Sequence, residues 1–183
     1  MKKHVVNYDT LLRVTKAMSM SRDPKEVVKL TTTSIRTALD VKGCALFLIN
    51  PKTKQLEVAA SDGLSKEYLN KGPVSALKSI AESLKDGPVA IYDIADDPRI
   101  QYPEAAMKEG ISSILSVPIY AMGEIIGAMR VYTGEPWEFT MDDVNFVQAL
   151  AQIAGVLIDM CRLYDGQNQV IDVLMKMRES IPM

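Results

Sequence analysis

A single histidine and two cysteines are all this 183-residue chain offers to soft-metal or imidazole chemistry. His4 stands alone near the N-terminus, so a histidine metal cluster or a Ser-His-Asp arrangement is excluded. Cys44 and Cys161 are too few for a disulfide framework. Basic residues are spread along the chain and the net charge is −2. No electrostatic footprint for nucleic acid or an anionic membrane surface results. The longest uncharged run, Val144 to Ile158, is shorter than the roughly 20 residues a membrane-spanning helix needs. The start, Met1-Lys2-Lys3-His4, reaches Asp9 and Arg13 with no apolar core, so no secretory signal is expected. These absences predict a cytoplasmic protein that partners neither nucleic acid nor membrane, with no metal site and no catalytic residue. Aromatics are scarce at 6%, yet 48% of residues are apolar, enough for one buried core.

The apolar residues are arranged in two periods. Val5, Tyr8, Leu11, Leu12 and Met18 recur at helical spacing, predicting a helix over 5–21. Asp23 as N-cap, Pro24 at the first helical position and Glu26 open a second helix. Its expected inward stripe is Val27, Leu30, Ser34, Ile35, Ala38 and Leu39. After Gly43 the period shortens. "CALFLIN" and "QLEVAASDG" flank the turn Pro51–Lys54 as a hairpin. A helix is predicted over 75–86 and a third strand in "PVAIYDI". The polar stretch after it ends in a short helix from Pro103 to Gly110. "SILSVPIYA" and "EIIGAMRVYT" make a second hairpin about Met122-Gly123. Thr140, with Asp142 and Asp143 in the first turn, then caps a long helix.

Five strands without parallel crossovers predict an antiparallel sheet. Its apolar runs require cover on both faces. The helices at 23–40 and 140–164 supply one cover, and the thinner, loop-rich segment 64–110 supplies the other. A face under loops is where a cavity is expected.

The pieces "GCALFLINPKTKQLEVAASDG", "PVAIYDIADDPR", "EGISSILSVPIYAMGEIIGAMRVYT" and "FTMDDVNFVQALAQIAGVLID" follow one another in an order that resembles the GAF domain family, over roughly 23–164. The Ser-Val-Pro-Ile…Gly-Glu-Ile-Ile-Gly piece is the most specific. The resemblance, to a stand-alone bacterial type, implies an α+β, PAS-like three-layer sandwich. A central antiparallel sheet carries the N- and C-terminal helices on one face and a short helix plus loops on the other. Residues 1–22 then form an N-terminal dimerisation helix, 23–164 the domain, and 165–183 a C-terminal helical extension.

By position, the resemblance implies a ligand pocket on the loop-covered face. Ala45, Phe47 and Ala60 look into it from the sheet, Ile91 and Asp93 sit at the end of the third strand, and Asp97, Arg99 and Tyr102 lie in the following loop. Phe47, Ala60, Ile91, Asp93, Arg99 and Tyr102 would bound a cavity for a small, partly polar, ring-containing molecule. Arg99 and Asp97 offer charge-assisted hydrogen bonds, and Phe47 and Tyr102 offer stacking. The alternative for Asp97-Pro98-Arg99 is a turn closed by its own surface ion pair. The identity of any cofactor is left open. Tyr132-Thr133 departs from the Asn-Lys of phosphodiesterase-type cyclic-nucleotide domains. The middle segment has no cysteine for bilin attachment or for methionine sulfoxide reduction.

Val147, Leu150, Ala154, Leu157, Cys161, Tyr164, Asn168, Ile171 and Met175 repeat at steps of three and four. They predict a heptad seam that pairs two copies, with Gly166 as a possible break. The alternative is that the stripe before Tyr164 covers the chain's own sheet. Two function classes follow. One is a non-catalytic signalling or sensor module that binds a small molecule, relays a signal through a helical homodimer and is read by a separate output protein. The other is a structural interaction domain whose pocket is filled by its own side chains. A GAF-fold enzyme ranks below both.

Overall fold

The computed structural model describes residues 8–21, 23–72, 74–75, 87–95 and 97–179. In chain order they form α1 (Tyr8–Met20), α2 (Pro24–Leu39), β1 (Gly43–Ile49), β2 (Gln55–Asp62), α3 (Lys66–Leu69), β3 (Val74–Ser75) and β4 (Val89–Ile91). Then follow α4 (Pro103–Glu109), β5 (Ser113–Ala121), β6 (Glu124–Thr133) and α5 (Met141–Glu179). The strands make one six-stranded antiparallel sheet in the order β3-β2-β1-β6-β5-β4. The architecture is the expected α+β sandwich, with one strand more than the five predicted. The extra strand takes Ser75, which the predicted helix over 75–86 had claimed. Residues 76–86 of that helix lie outside the described residues.

Local chemistry sets the element boundaries. Asp23 Oδ1 accepts from Lys25 N–H at 2.9 Å and Pro24 follows, so α2 starts where its cap is satisfied. Thr140 and Asp143 cap α5 reciprocally. Asp143 N–H donates to Thr140 Oγ1 at 3.2 Å, and Thr140 N–H donates to Asp143 Oδ2 at 2.9 Å. The β5–β6 turn places Met122 and Gly123 at φ 50° and 82°, the left-handed pair that a two-residue hairpin loop requires. Gly110, at φ 73°, closes α4 as predicted.

Each strand's alternation divides the core in two. Cys44, Leu46, Leu115, Val117, Ile119, Met129 and Val131 point at the helices. There they meet Val14 and Met18 of α1, Val27, Ile35 and Leu39 of α2, and Val147, Leu150, Ala154 and Ile158 of α5. Gly155 lets α5 sit directly on β5: an added Cβ would lie 2.2 Å from the Tyr120 carbonyl oxygen. On α2 the buried stripe is Val27, Val28, Thr31, Thr32, Ile35 and Leu39, rotated from the predicted one. The two threonine hydroxyls donate to the Val27 and Val28 carbonyls at 2.7 and 3.2 Å, so the rotation leaves no polar group unsatisfied. On α1, Leu11 packs on this core and Leu12 is exposed; the side chains of Val5 and Tyr8 lie outside the described residues.

Helix α5 runs through Gly166 without a break. Its side chains are described as far as Tyr164, so Asn168, Ile171 and Met175 of the predicted seam lie outside them. The first seam residues are corrected: Val147, Leu150 and Ala154 are fully buried against the chain's own sheet and Leu157 is half-buried beside them; Cys161 is buried, and Tyr164 stays exposed. The large apolar residues that α5 leaves exposed, among those described, are Met141, Val156, Met160, Leu163 and Tyr164. The stretch Met141–Tyr164 is long and apolar enough to span a bilayer by length and composition. Its apolar residues are divided between the face buried on the sheet and the exposed ones just named.

Candidate functional site

The other sheet face lies under α3, the loop after β4, and α4. Ala45 and Phe47 of β1, Ile114 of β5, and Ala128 and Tyr132 of β6 form its floor. Tyr68 of α3, Val74, Ile91, Ile94, Ala106 and Ile111 close over it. Polar residues break this apolar surface. Arg130 lies between Ala128 and Tyr132 on β6, directly opposite Ala45 on one side and Ser116 on the other. Directly opposed side chains share a face at about 5 Å, so Ser116 and Arg130 meet on the loop-covered side.

Arg130 is 6% exposed. Its guanidinium carbon stands 5.2 Å from the centroid of the Phe47 ring, a cation–π contact. Its Nε and Nη2 are buried without a well-formed hydrogen bond, and so are Ser116 Oγ and the Tyr132 hydroxyl, although the Tyr132 hydroxyl lies close enough to Arg130 and Tyr68 for each to act on its titration. Among the described residues, these are the only buried side-chain polar atoms left unpaired, and all lie on this face.

A cavity of about 20 Å³ opens beside Arg130, walled by Tyr68, Lys71, Arg99, Tyr102 and Ile114. That is room for roughly one water-sized group. Lys71 Nζ sits 3.6 Å over the Tyr68 ring and donates to the Tyr68 carbonyl at 3.1 Å. Burial, helped by the charge of Arg130, pushes the Lys71 ammonium down to about 8. Tyr68 and Tyr132 meet edge to face at 5.8 Å. Burial raises both phenols above their ordinary range, and Arg130 opposes the shift. Tyr102 lies against Gly72, where a Cβ would come 2.7 Å from the Tyr102 hydroxyl, so a side chain there would require the ring to move.

The predicted site residues divide. Arg99 and Tyr102 line the cavity. Ala45, Phe47 and Ile91 are buried on the correct face as its floor and flank. Asp93 is half-buried and turned to its own loop, where Oδ1 accepts from Ala95 N–H at 2.9 Å. Asp97 and Arg99 form the local ion pair that stood as the alternative. Arg99 Nε and Nη2 donate to Asp97 Oδ1 and Oδ2 at 2.9 and 2.5 Å, and this guanidinium holds Asp97 below the usual carboxylate range.

Ala60 is a correction, since it packs into the helix-covered core. The β1–β2 register shifts between Leu46 and Phe47. Leu46 faces Ala60 while Phe47 faces Val58, leaving Ala59 as the extra residue of a bulge. Ala60 therefore shares a face with Leu46, not with Phe47.

Tyr68, Lys71, Ser116, Arg130 and Tyr132 were not anticipated. A signal for Arg130 does exist, because "GAMRVYT" holds one charge inside a strand whose neighbours are all uncharged.

Neither cysteine borders the cavity. Cys44 is buried behind the sheet, its Sγ 3.5 Å from Met129 Sδ, and burial pushes its thiol far up. Cys161 is buried on α5. Among the described residues no group of three acidic, histidine or cysteine side chains is placed to hold a metal.

A family profile described as GAF domain matches residues 21–159. A comparison with curated protein sequences returns no match. Among solved structures, the GAF domain of a phosphoenolpyruvate-protein phosphotransferase from Coxiella burnetii is similar at TM-score 0.79. It shares 18% identity, over 90% of this chain and 99% of that one. The corresponding Acinetobacter domain is similar at TM-score 0.75 and 18% identity, over 89% and 97%. Free methionine-R-sulfoxide reductase from Neisseria meningitidis, solved with its substrate, is similar at TM-score 0.76. Its identity is 16%, over 90% and 95%. At these identities the likeness is one of fold.

Proposed function

The chain belongs to the GAF domain family, and from that premise we propose that it is a non-catalytic sensor module whose loop-covered face binds a small molecule. The observation that carries this reading is the cavity beside Arg130, which gathers Lys71, Arg99, Tyr68 and Tyr102 at a face otherwise sealed by apolar side chains. A domain that only filled its own core would match its buried polar groups, as the helix-covered face does.

The non-catalytic part rests on the thiols. The Neisseria enzyme shares the fold, but a reductase of that kind needs an accessible thiolate beside its substrate. Cys44 lies across the sheet from the cavity. Turnover of free methionine sulfoxide, lost in Cys44→Ser or Cys161→Ser, would overturn this part.

The relay is assigned to the helices. We propose that α1 and α5 pair two copies, with residues 165–183 extending the pairing beyond the domain. Leu12 and Met20 on α1, and Val156, Met160 and Leu163 on α5, are large, apolar and exposed. The last three recur at steps of four and three, one stripe down the helix opposite its buried face. A cytoplasmic location and a separate protein that reads the signal belong to the same proposal. Native mass spectrometry of the purified chain tests the two arms together. A dimer carrying a co-purified small molecule is expected; a ligand-free monomer at tens of micromolar (a concentration scale on which a specific dimer is populated) would contradict both.

A further inference from the structure

We propose that the small molecule bears a carboxylate, and that this carboxylate docks on the Nε–Nη2 edge of Arg130, with Ser116 Oγ and the Tyr132 hydroxyl as additional donors. The proposal rests on the small-molecule reading above and narrows it to a chemical class.

The first argument is the charge. Arg130 is more than nine-tenths buried, and two of its donor nitrogens face no acceptor. A buried lysine can shed its proton, as Lys71 begins to do near pH 8. Arginine has no such escape, since its guanidinium stays ionised at any ordinary pH. The charge therefore calls for an anion. Among the described residues the nearby carboxylates are committed. Glu109 accepts from the Ser65 N–H at 2.8 Å and from the Ser65 hydroxyl, and Asp97 is held by Arg99.

The second argument is shape. The free edge of Arg130 is the pair Nε and Nη2, which presents two parallel donors to two coplanar oxygens. The neighbouring Arg99 uses this same edge on Asp97, at 2.9 and 2.5 Å. One wall of the cavity thus displays the completed pair, and Arg130 displays the same fork without its acid.

The third argument selects carboxylate over phosphate. One guanidinium edge matches one negative charge. Ser116 and Tyr132 flank Arg130 across the sheet and along β6, and their buried hydroxyls lack a well-formed hydrogen bond. The Tyr68 and Tyr102 rings and Ile114 give the rest of the molecule an aromatic and apolar seat.

Thermal denaturation in Tris-chloride with added acetate, acetamide or inorganic phosphate, at matched ionic strength, tests the proposal. Acetate should raise the wild-type Tm by about 3–6 °C at roughly tenfold excess over Kd. Acetamide, the neutral isostere, should do nothing, and phosphate less than acetate. Arg130→Gln should lose the acetate response. Arg130→Lys, which keeps the charge but not the fork, should lose most of it. If neither variant folds, the Arg130 Nε–Hε resonance of the wild type should move on acetate addition and stay still with acetamide. A larger response to phosphate, an equal response to acetamide, or an acetate response unchanged in Arg130→Gln would overturn the carboxylate assignment. A neutral molecule co-purifying on this face would sink the anion while leaving the sensor reading intact. A protein that retains no molecule and responds to no anion would sink both.

Discussion

The two faces of the sheet are built from the same strands and solve burial differently. Under the helices, among the described residues, every buried side-chain polar group has a partner: Thr31 and Thr32 bond back into α2, and Asp143 is spent on the cap of α5. Under the loops, Ser116, Arg130 and Tyr132 leave four buried atoms unpaired. Buried unsatisfied groups each cost about 1–3 kcal/mol, and more when charged. A chain that satisfies one face and leaves the other short has a use for the shortfall. On the reading proposed above, the helix-covered face holds the fold together and the loop-covered face is the one that takes a ligand.

Substitutions on the two faces should therefore have opposite signs. The largest effect is expected from Leu150→Ala, at a fully buried position between α5 and the sheet. It should lower stability by about 3 kcal/mol, the usual cost of such a cavity, as read by urea denaturation. Gly155→Ala should follow at about 1–3 kcal/mol. Its new methyl would meet the Tyr120 carbonyl, and the gain in helix propensity of about 1 kcal/mol is too small to offset that clash. On the other face, Tyr132→Phe and Ser116→Ala remove buried hydroxyls that lack a well-formed hydrogen bond, so they should raise ligand-free stability by about 1–3 kcal/mol. A loss of 2 kcal/mol or more in either would blur the distinction between the faces.

A pH dependence is expected as well. The folded-state pKa of Lys71 is lowered from 10.5 to about 8. Between those values the unfolded chain binds more protons than the folded one, so this group's contribution to stability rises with pH from about 8 toward 10.5. Lys71→Met should flatten that rise relative to wild type in denaturation curves collected across the window. An unchanged slope would mean that Lys71 is less desolvated than its place over the Tyr68 ring implies.

Much of this division is legible in the sequence, because the alternation of apolar residues in β1, β5 and β6 sets both faces at once. The caps at Asp23 and Thr140 and the turn at Met122-Gly123 are readable for the same reason, since each rests on contacts within a few residues. Ala60 is not readable in that way. One bulged residue, Ala59, reverses the parity of a strand end, and no local composition announces it. The short β3 and α3 are too brief for any period to register. On α5, core-facing and exposed apolar residues both recur at steps of three and four. Spacing alone therefore does not tell Leu150 and Ala154 from Val156 and Met160. The candidate site was legible only at its rim, Arg99 and Tyr102, where a loop motif carried it. Its centre, Arg130, was open to inspection as a lone charge in an apolar strand. Its meaning depends on Ser116 and Ala45 standing opposite, which is a fact of register.

The most direct test of the contrast between the faces is the Tm of Arg130→Met in a buffer free of small carboxylates. Burying a guanidinium without an acid costs several kcal/mol, whereas its contact with the Phe47 ring returns about 2 kcal/mol at most. Methionine fills similar apolar space and carries no charge. The variant should therefore melt above the wild type. A variant that melts below it, by a margin like that of Leu150→Ala, would show that Arg130 holds the fold as the helix-covered residues do, and would contradict the account.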